Sequence, residues 1–212
     1  MKYTEYACYN EPNSEQLRKN VFEALKYNIN GISIPIYFLG NISSLIPEGI
    51  TLGCPVDWPC GNNATTIRNH AAIYAINHGA NALDLVSSGY MFINDHSEYV
   101  EDIKSHIKIC KDRGVTLRVM LEYRRHFPAQ TLDMALALSE LGVDYIFPST
   151  GDKLDDFSDN LIVSHRISTM YTTPAIFNGN IFTQKQYKIL CESRVHGVRF
   201  NNLGALIRLL GV

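Results

Sequence analysis

Two carboxylates and one guanidinium have their directions set by their neighbours. In Thr116-Leu117-Arg118-Val119-Met120-Leu121-Glu122, the apolar Leu117, Val119 and Leu121 alternate with Arg118, Met120 and Glu122. Successive side chains of a strand face opposite sides, so a strand whose apolar trio packs against helices turns Arg118 and Glu122 the other way. The same alternation over Ala82–Val86 separates Leu83 and Leu85 from Asp84. Asp84 and Glu122 could then serve as acid and base, with Arg118 polarising a carbonyl or steadying an enolate. A carboxylate beside the arginine would stay ionised while the other could rise in pKa, which is the separation acid–base chemistry needs. Asp84 and Arg118 also read as a plain ion pair between neighbouring strands. Against that, desolvating a charge costs several kcal/mol, so barrels tend to keep charges where solvent or substrate reaches them.

Something must bring these strands together. Short apolar runs alternate with amphipathic ones along the whole chain. Strands are predicted at Tyr3–Tyr9, Gly31–Phe38, Ile50–Val56, Ala82–Val86, Thr116–Glu122, Tyr145–Pro148, Pro174–Asn178 and Gly197–Asn201. Helices are predicted at Ser14–Tyr27, Ile42–Ile46, Ala64–His78, Ser97–Arg113, Ala129–Leu141, Asp155–Met170, Thr183–Arg194 and Leu203–Leu210. Regular alternation implies right-handed crossovers and a parallel sheet, and eight such units fit a closed (β/α)8 barrel occupying residues 1–212 as one domain. An open doubly wound sheet is the alternative, but no Gly-rich dinucleotide loop follows any strand. In a barrel Asp84, Arg118 and Glu122 would sit near the C-terminal mouth, where barrel enzymes work.

Composition narrows the function. The formal net charge is -2 and the pI near 6.4, leaving no surplus of positive charge for a phosphate backbone or an anionic membrane. No long apolar run suggests a membrane span or a secretory signal, so a cytoplasmic location is expected, with no nucleic-acid or membrane partner. The five scattered cysteines form no C-x-x-C motif, and neither a disulfide framework nor a metal site is expected. Cys60, near the expected mouth, is a weak candidate nucleophile without an assigned base. The Arg124-Arg125-His126 cluster could bind an acidic group but more simply faces solvent, and the helical histidines read as surface or core.

Several segments together resemble the deoxyribose-phosphate aldolase family. Val56-Asp57-Trp58-Pro59-Cys60-Gly61-Asn62-Asn63-Ala64-Thr65-Thr66 is similar to its V-G-F-P-x-G-x-x-x-T segment, and Gly79–Val86 to its G-A-D-E-I-D-M-V strand. Tyr99–Ile103 resembles Y-x-x-E-D-I, Val119–Glu122 resembles V-I-I-E, and Ser149-Thr150-Gly151 matches S-T-G. The resemblance implies an aldolase-type barrel in which Asp84 supports proton transfer and two interior lysines make and tune a Schiff base. Those lysines fall here on Phe147 and Ala175, and Arg118 replaces a third. Neither phenyl, methyl nor guanidinium can form an iminium electron sink. Lys153, in the loop after the sixth strand, is the one lysine expected at the catalytic end.

The resemblance also implies a phosphate site on the turns after the sixth to eighth strands, where Ser149, Thr150, Gly151, Asn178 and Gly179 stand. The last turn departs, reading Arg199-Phe200-Asn201-Asn202 in place of a small-residue loop, so that Arg199 could serve as counter-charge to an anion or Asn178, Asn201 and Asn202 could hold a neutral polyol. The expected activity is a carbon–carbon lyase or isomerase working on a small polyhydroxylated carbonyl compound or sugar phosphate, by Asp84, Glu122 and Arg118 and without an imine or cofactor. The alternative is an inactive aldolase-like barrel that binds a metabolite or protein partner without turnover, with Asp84, Arg118 and Glu122 locked together beneath a plug of Phe147, Phe177 and Phe200. The sequence leaves a homo-oligomer open.

Overall fold

A computed structural model describes residues 2–211. In chain order the elements are β1 (Tyr3–Ala7), α1 (Ser14–Ala24), β2 (Gly31–Ser33), α2 (Leu39–Ile42), β3 (Thr51–Val56), α3 (Thr65–Asn77), β4 (Ala82–Val86), α4 (Gly89–Asn94), α5 (His96–Lys111), β5 (Thr116–Met120), α6 (Pro128–Leu141), β6 (Tyr145–Phe147), α7 (Phe157–Met170), β7 (Ile176–Asn178), α8 (Gln184–Glu192), β8 (Gly197–Phe200) and α9 (Leu203–Leu210). The eight strands pair in parallel in the order β6-β5-β4-β3-β2-β1-β8-β7, and a single bridge between Ile146 and Ala175 joins the two edges. This is the expected (β/α)8 barrel.

Local chemistry explains most boundaries. Asn13 accepts from the Gln16 N–H at the start of α1, and Asp156 and Asn202 do the same for α7 and α9. Thr183 and Gln186 form a reciprocal capping box on α8. The strand predicted to run from Gly31 to Phe38 stops at Ser33. Pro35 has no N–H to extend the ladder, and Ile36–Phe38 coils into a 3-10 turn. The short α4 was not anticipated; its signal is Ser88, whose hydroxyl caps the Met91 N–H.

The interior register follows the alternation. Leu83, Leu85, Leu117, Val119 and Leu121 lie in the large core between barrel and helices, whereas Val86, Met120, Phe147 and Ile176 form a separate apolar group inside the barrel. Asp84 pairs directly with Arg118 across β4 and β5, and Glu5 with Arg199 across β1 and β8. Small residues opposite make room for these long side chains. A Cβ on Gly53 would collide with the Arg118 guanidinium, and one on Gly31 with the Tyr3 hydroxyl.

Candidate active site

The interior charges form a closed lattice. Arg118 donates from Nε to Asp84 Oδ1 at 2.6 Å, from Nη1 to Glu5 Oε2 at 2.7 Å and Tyr3 OH at 3.0 Å, and from Nη2 to Glu5 Oε1 at 3.2 Å. Arg199 Nη2 donates to Asp84 Oδ2 at 2.7 Å and Glu5 Oε1 at 3.0 Å, and Nη1 to Tyr9 OH at 3.0 Å. Ser33 Oγ and Tyr9 OH complete the shell of Asp84 Oδ2 at 2.6 and 3.1 Å. Glu5, Asp84, Arg118 and Arg199 are all at most 2% exposed, and their formal charges sum to zero. Burial by itself would raise the Asp84 pKa, but the charges of Arg118 and Arg199 overcome it and hold the carboxyl below its ordinary value. Such a group stays an anion at neutral pH.

An apolar layer separates this lattice from the C-terminal mouth. Val86 and Met120 lie two residues beyond Asp84 and Arg118 on their strands, and Phe147 is the register partner of Met120. The Phe147 ring lies over the Arg199 guanidinium with its centroid 3.9 Å from Cζ, and 5.4 Å from that of Arg118, so it covers both cations. A cavity of about 230 Å³ lined by Tyr3, Thr51, Thr116, Arg118, Tyr145 and Ile176 reaches Arg118 from the N-terminal end instead.

The expected aromatic plug is therefore one residue. Phe177 faces outward against Phe157 at 5.5 Å, and Phe200 against Tyr187 at 6.0 Å, because residues one step from Asn178 and Arg199 fall on the opposite face. Ala175 likewise faces the outer core, and the interior position on β7 is Ile176. All nine lysines are exposed, Lys153 included.

Glu122 is not beside Arg118. It follows β5 in the left-handed region at φ 52°, ψ 66°, a conformation uncommon for a residue with a side chain. Its Oε2 accepts from the Thr150 N–H at 3.3 Å and from the Thr150 hydroxyl, while Oε1 is buried without a partner among the described residues. Around it the loop after β6 is braced. Trp58 Nε1 donates to Thr150 O at 3.1 Å, Gly151 N to Ser149 Oγ at 3.0 Å, and Asn178 Nδ2 to Ser149 O at 3.0 Å.

Sequence reasoning missed Glu5, Tyr9 and Asp155. Alternation in Tyr3–Tyr9 would have placed Glu5 inside, but amphipathic tyrosines on both faces hide the period. Asp155 is 5% exposed and accepts from Asn160 Nδ2 at 3.1 Å through Oδ2, while Oδ1 lacks a partner. Burial, with the neighbouring Glu122 charge adding to it, pushes Asp155 up to about 6.

The remaining expected residues divide. Gly179, Asn201 and Asn202 line a pocket of about 180 Å³ at the ends of β7 and β8, together with Phe182 and Arg208. Ser149, Thr150, Gly151 and Asn178 lie beside it, since Gly151 packs against both Asn178 and Asn201. Arg199, expected there as counter-charge, belongs instead to the interior lattice. Its position two residues before Asn201 puts it one layer deeper on β8. Cys60 is exposed, with Arg125 Nη2 3.5 Å from its sulfur. Among the described residues no group of three or more His, Cys, Asp or Glu side chains is arranged to hold a metal ion, and no helix is long and apolar enough to cross a membrane.

No protein-family model matches the chain. Deoxyribose-phosphate aldolase of Metamycoplasma hominis is 29% identical over 140 residues, which is 65% of this chain and 64% of the relative, so the match spans less than two thirds of that protein. The enzyme of the same name from Clostridium kluyveri is 25% identical over 163 residues, covering 76% of this chain and 72% of the relative. Among solved structures, the deoxyribose phosphate aldolase of Aeropyrum pernix, described as a tetramer, superposes with a TM-score of 0.86 at 16% identity, covering 99% of this chain and 88% of that one. An aldolase named QR15 gives 0.84 at 18%, covering 99% and 95%. At such identities the structures establish the fold, and the sequence matches carry the relationship. In sequence and in architecture the chain is similar to the deoxyribose-phosphate aldolases.

Proposed function

We propose that the chain is an aldolase-like lyase or isomerase acting on a small polyhydroxylated carbonyl compound or its phosphate ester by carboxylate acid–base chemistry at the barrel mouth, without a lysine imine. The observation that carries this reading is Glu122: buried, held in a rare backbone conformation, anchored through one carboxylate oxygen and free at the other. Ser149, Thr150, Gly151, Asn178, Gly179, Asn201 and Asn202 surround the bound substrate in this reading. Asp84 and Arg118 shape the interior beneath it and do not touch the reacting atoms, because their hydrogen-bonding capacity is taken by Glu5, Arg199, Ser33, Tyr3, Tyr9 and each other.

The pairing of every charge in that lattice, in which only Arg199 Nε lacks a partner among the described residues, together with the exposure of every lysine, favours a second reading: a barrel that binds the same compounds without turnover. Glu122→Gln separates the two. Loss of a positioned acid or base should lower turnover about 10²- to 10⁴-fold with ligand binding kept within tenfold. Wild-type protein that binds sugars but converts none supports the second reading, and wild-type protein that binds none refutes both.

A further inference from the structure

The mouth keeps more unpartnered hydrogen-bond acceptors than donors; the donors left are the Asn201 amide and the hydroxyl of Ser149, which lies toward Asp155. Thr150 gives both its N–H and its hydroxyl to Glu122. Asn160 Nδ2 is shared between Asp155 Oδ2 and Asn178 O, at 3.1 and 2.9 Å. Asn178 Nδ2, Gly151 N and Trp58 Nε1 are held by Ser149 and Thr150 oxygens. Four buried oxygens there have no donor among the described residues: Glu122 Oε1, Asp155 Oδ1, Asn178 Oδ1 and Asn201 Oδ1. The orientation of the Asn178 amide is not arbitrary, because its nitrogen is committed to Ser149 O. Asn178 is fully buried, and its free oxygen faces the Gly151 Cα, 3.0 Å from where a Cβ would stand. Asn201 also lies against Gly151 and lines the adjoining pocket; neither its amide nitrogen nor its oxygen makes a hydrogen bond, so it can turn to offer a ligand either a donor or an acceptor.

Unpartnered acceptors in a buried site cost free energy that a ligand with matching donors recovers. We propose, resting on the reading of the mouth as the substrate site, that its natural ligand is an unphosphorylated, donor-rich compound, a polyol, cyclic sugar or amino sugar, whose O–H or N–H groups bond Glu122 Oε1, Asp155 Oδ1 and Asn178 Oδ1. A phosphate ester is disfavoured there. Glu122 and Asp155 bring two carboxylates to the mouth, Arg199 is spent on Glu5 and Asp84, and Arg124, whose charge reaches Asp155, is exposed and donates to Leu154 O. Arg208, the one cation lining the adjoining pocket, is exposed and turned to Phe182 O at 3.3 Å.

Calorimetric titration of the wild-type chain with matched pairs tests this: deoxyribose against deoxyribose 5-phosphate, glycerol against glycerol 3-phosphate, and glucosamine against glucosamine 6-phosphate, with inorganic phosphate alone as a further probe. The unphosphorylated member of a pair should bind at least tenfold more tightly, and inorganic phosphate should not bind at millimolar concentration. Stronger binding of glucosamine than glucose identifies an amine as a donor; equal binding identifies hydroxyls. Asp155→Asn and Asn178→Asp, checked for folding by circular dichroism, should each change the affinity at least tenfold. Tighter binding of the phosphate esters overturns the inference while leaving the proposed function standing. Binding of no pair member overturns both, and sugar binding untouched by either variant moves the site elsewhere and overturns the inference.

Discussion

Removing Arg118 should act on the stability of the protein and not on its ligand contacts. Arg118→Met deletes four hydrogen bonds, one to Asp84, two to Glu5 and one to Tyr3, and leaves Glu5 and Asp84 sharing the single cation of Arg199. The interior then carries a net charge of minus one, covered by Phe147 on the mouth side and approached only through the N-terminal cavity beside position 118. Breaking a buried pair from one side costs about 3–5 kcal/mol, most of it the uncompensated charge. For a chain of this size each kcal/mol lowers Tm by about 2–4 °C, so the variant should melt roughly 6–20 °C below wild type. Adding Glu5→Gln restores neutrality, because Asp84 and Arg199 remain a matched pair. The double variant should therefore regain about 1–3 kcal/mol relative to the sum of the two single changes. Thermal and urea unfolding of the four proteins measure the coupling. An Arg118→Met protein within about 2 °C of wild type, or strictly additive losses, would refute the lattice as a structural unit.

Two further outcomes follow from the same side chains. Incubation with low concentrations of deoxyribose 5-phosphate followed by borohydride should leave no stoichiometric adduct by intact-mass measurement; a single adduct mapping to Lys153 would restore an imine route. Asp155 should make folding less favourable as pH rises. Its native pKa lies near 6 against an ordinary value near 3.8, so the native state binds more protons between those limits, and stability present below about pH 4 is lost as pH passes 6. The difference between Asp155→Asn and wild-type stability, followed by urea unfolding from pH 4 to 7, should grow by up to about 3 kcal/mol; a flat difference would show the carboxyl to be unperturbed.

The register of β4 and β5 could be read from the sequence because leucine and valine mark one face without ambiguity, leaving Asp84 and Arg118 a single direction. On β1, tyrosines stand on both faces, Tyr3 and Tyr9 inside and Tyr6 outside, and the pattern does not reveal Glu5. Arg199 was misplaced for a different reason. Its neighbours Asn201 and Asn202 do belong to the mouth, and linear proximity concealed the fact that two residues along a strand change depth by a layer. Phe177 and Phe200 failed on the same one-residue parity. Glu122 was correctly drawn to the mouth but was expected to share Arg118. The left-handed turn that carries it to Thr150 depends on the loop after β6, which no local pattern encodes.

The Phe147 ring settled over Arg199 also bears on what this barrel could become. A lysine introduced at position 147, where the resemblance to aldolases would put the reactive amine, would lie buried against two guanidinium groups whose charges are already balanced, and both burial and their field would hold its amine neutral, the form that attacks a carbonyl. The arginine pairing would therefore tune such an amine and would not have to be dismantled; what the change would remove is the aromatic cover over Arg199. The balanced lattice beneath Phe147 thus separates two properties that usually change together: what covers the barrel's centre can be exchanged while the net charge below it stays at zero.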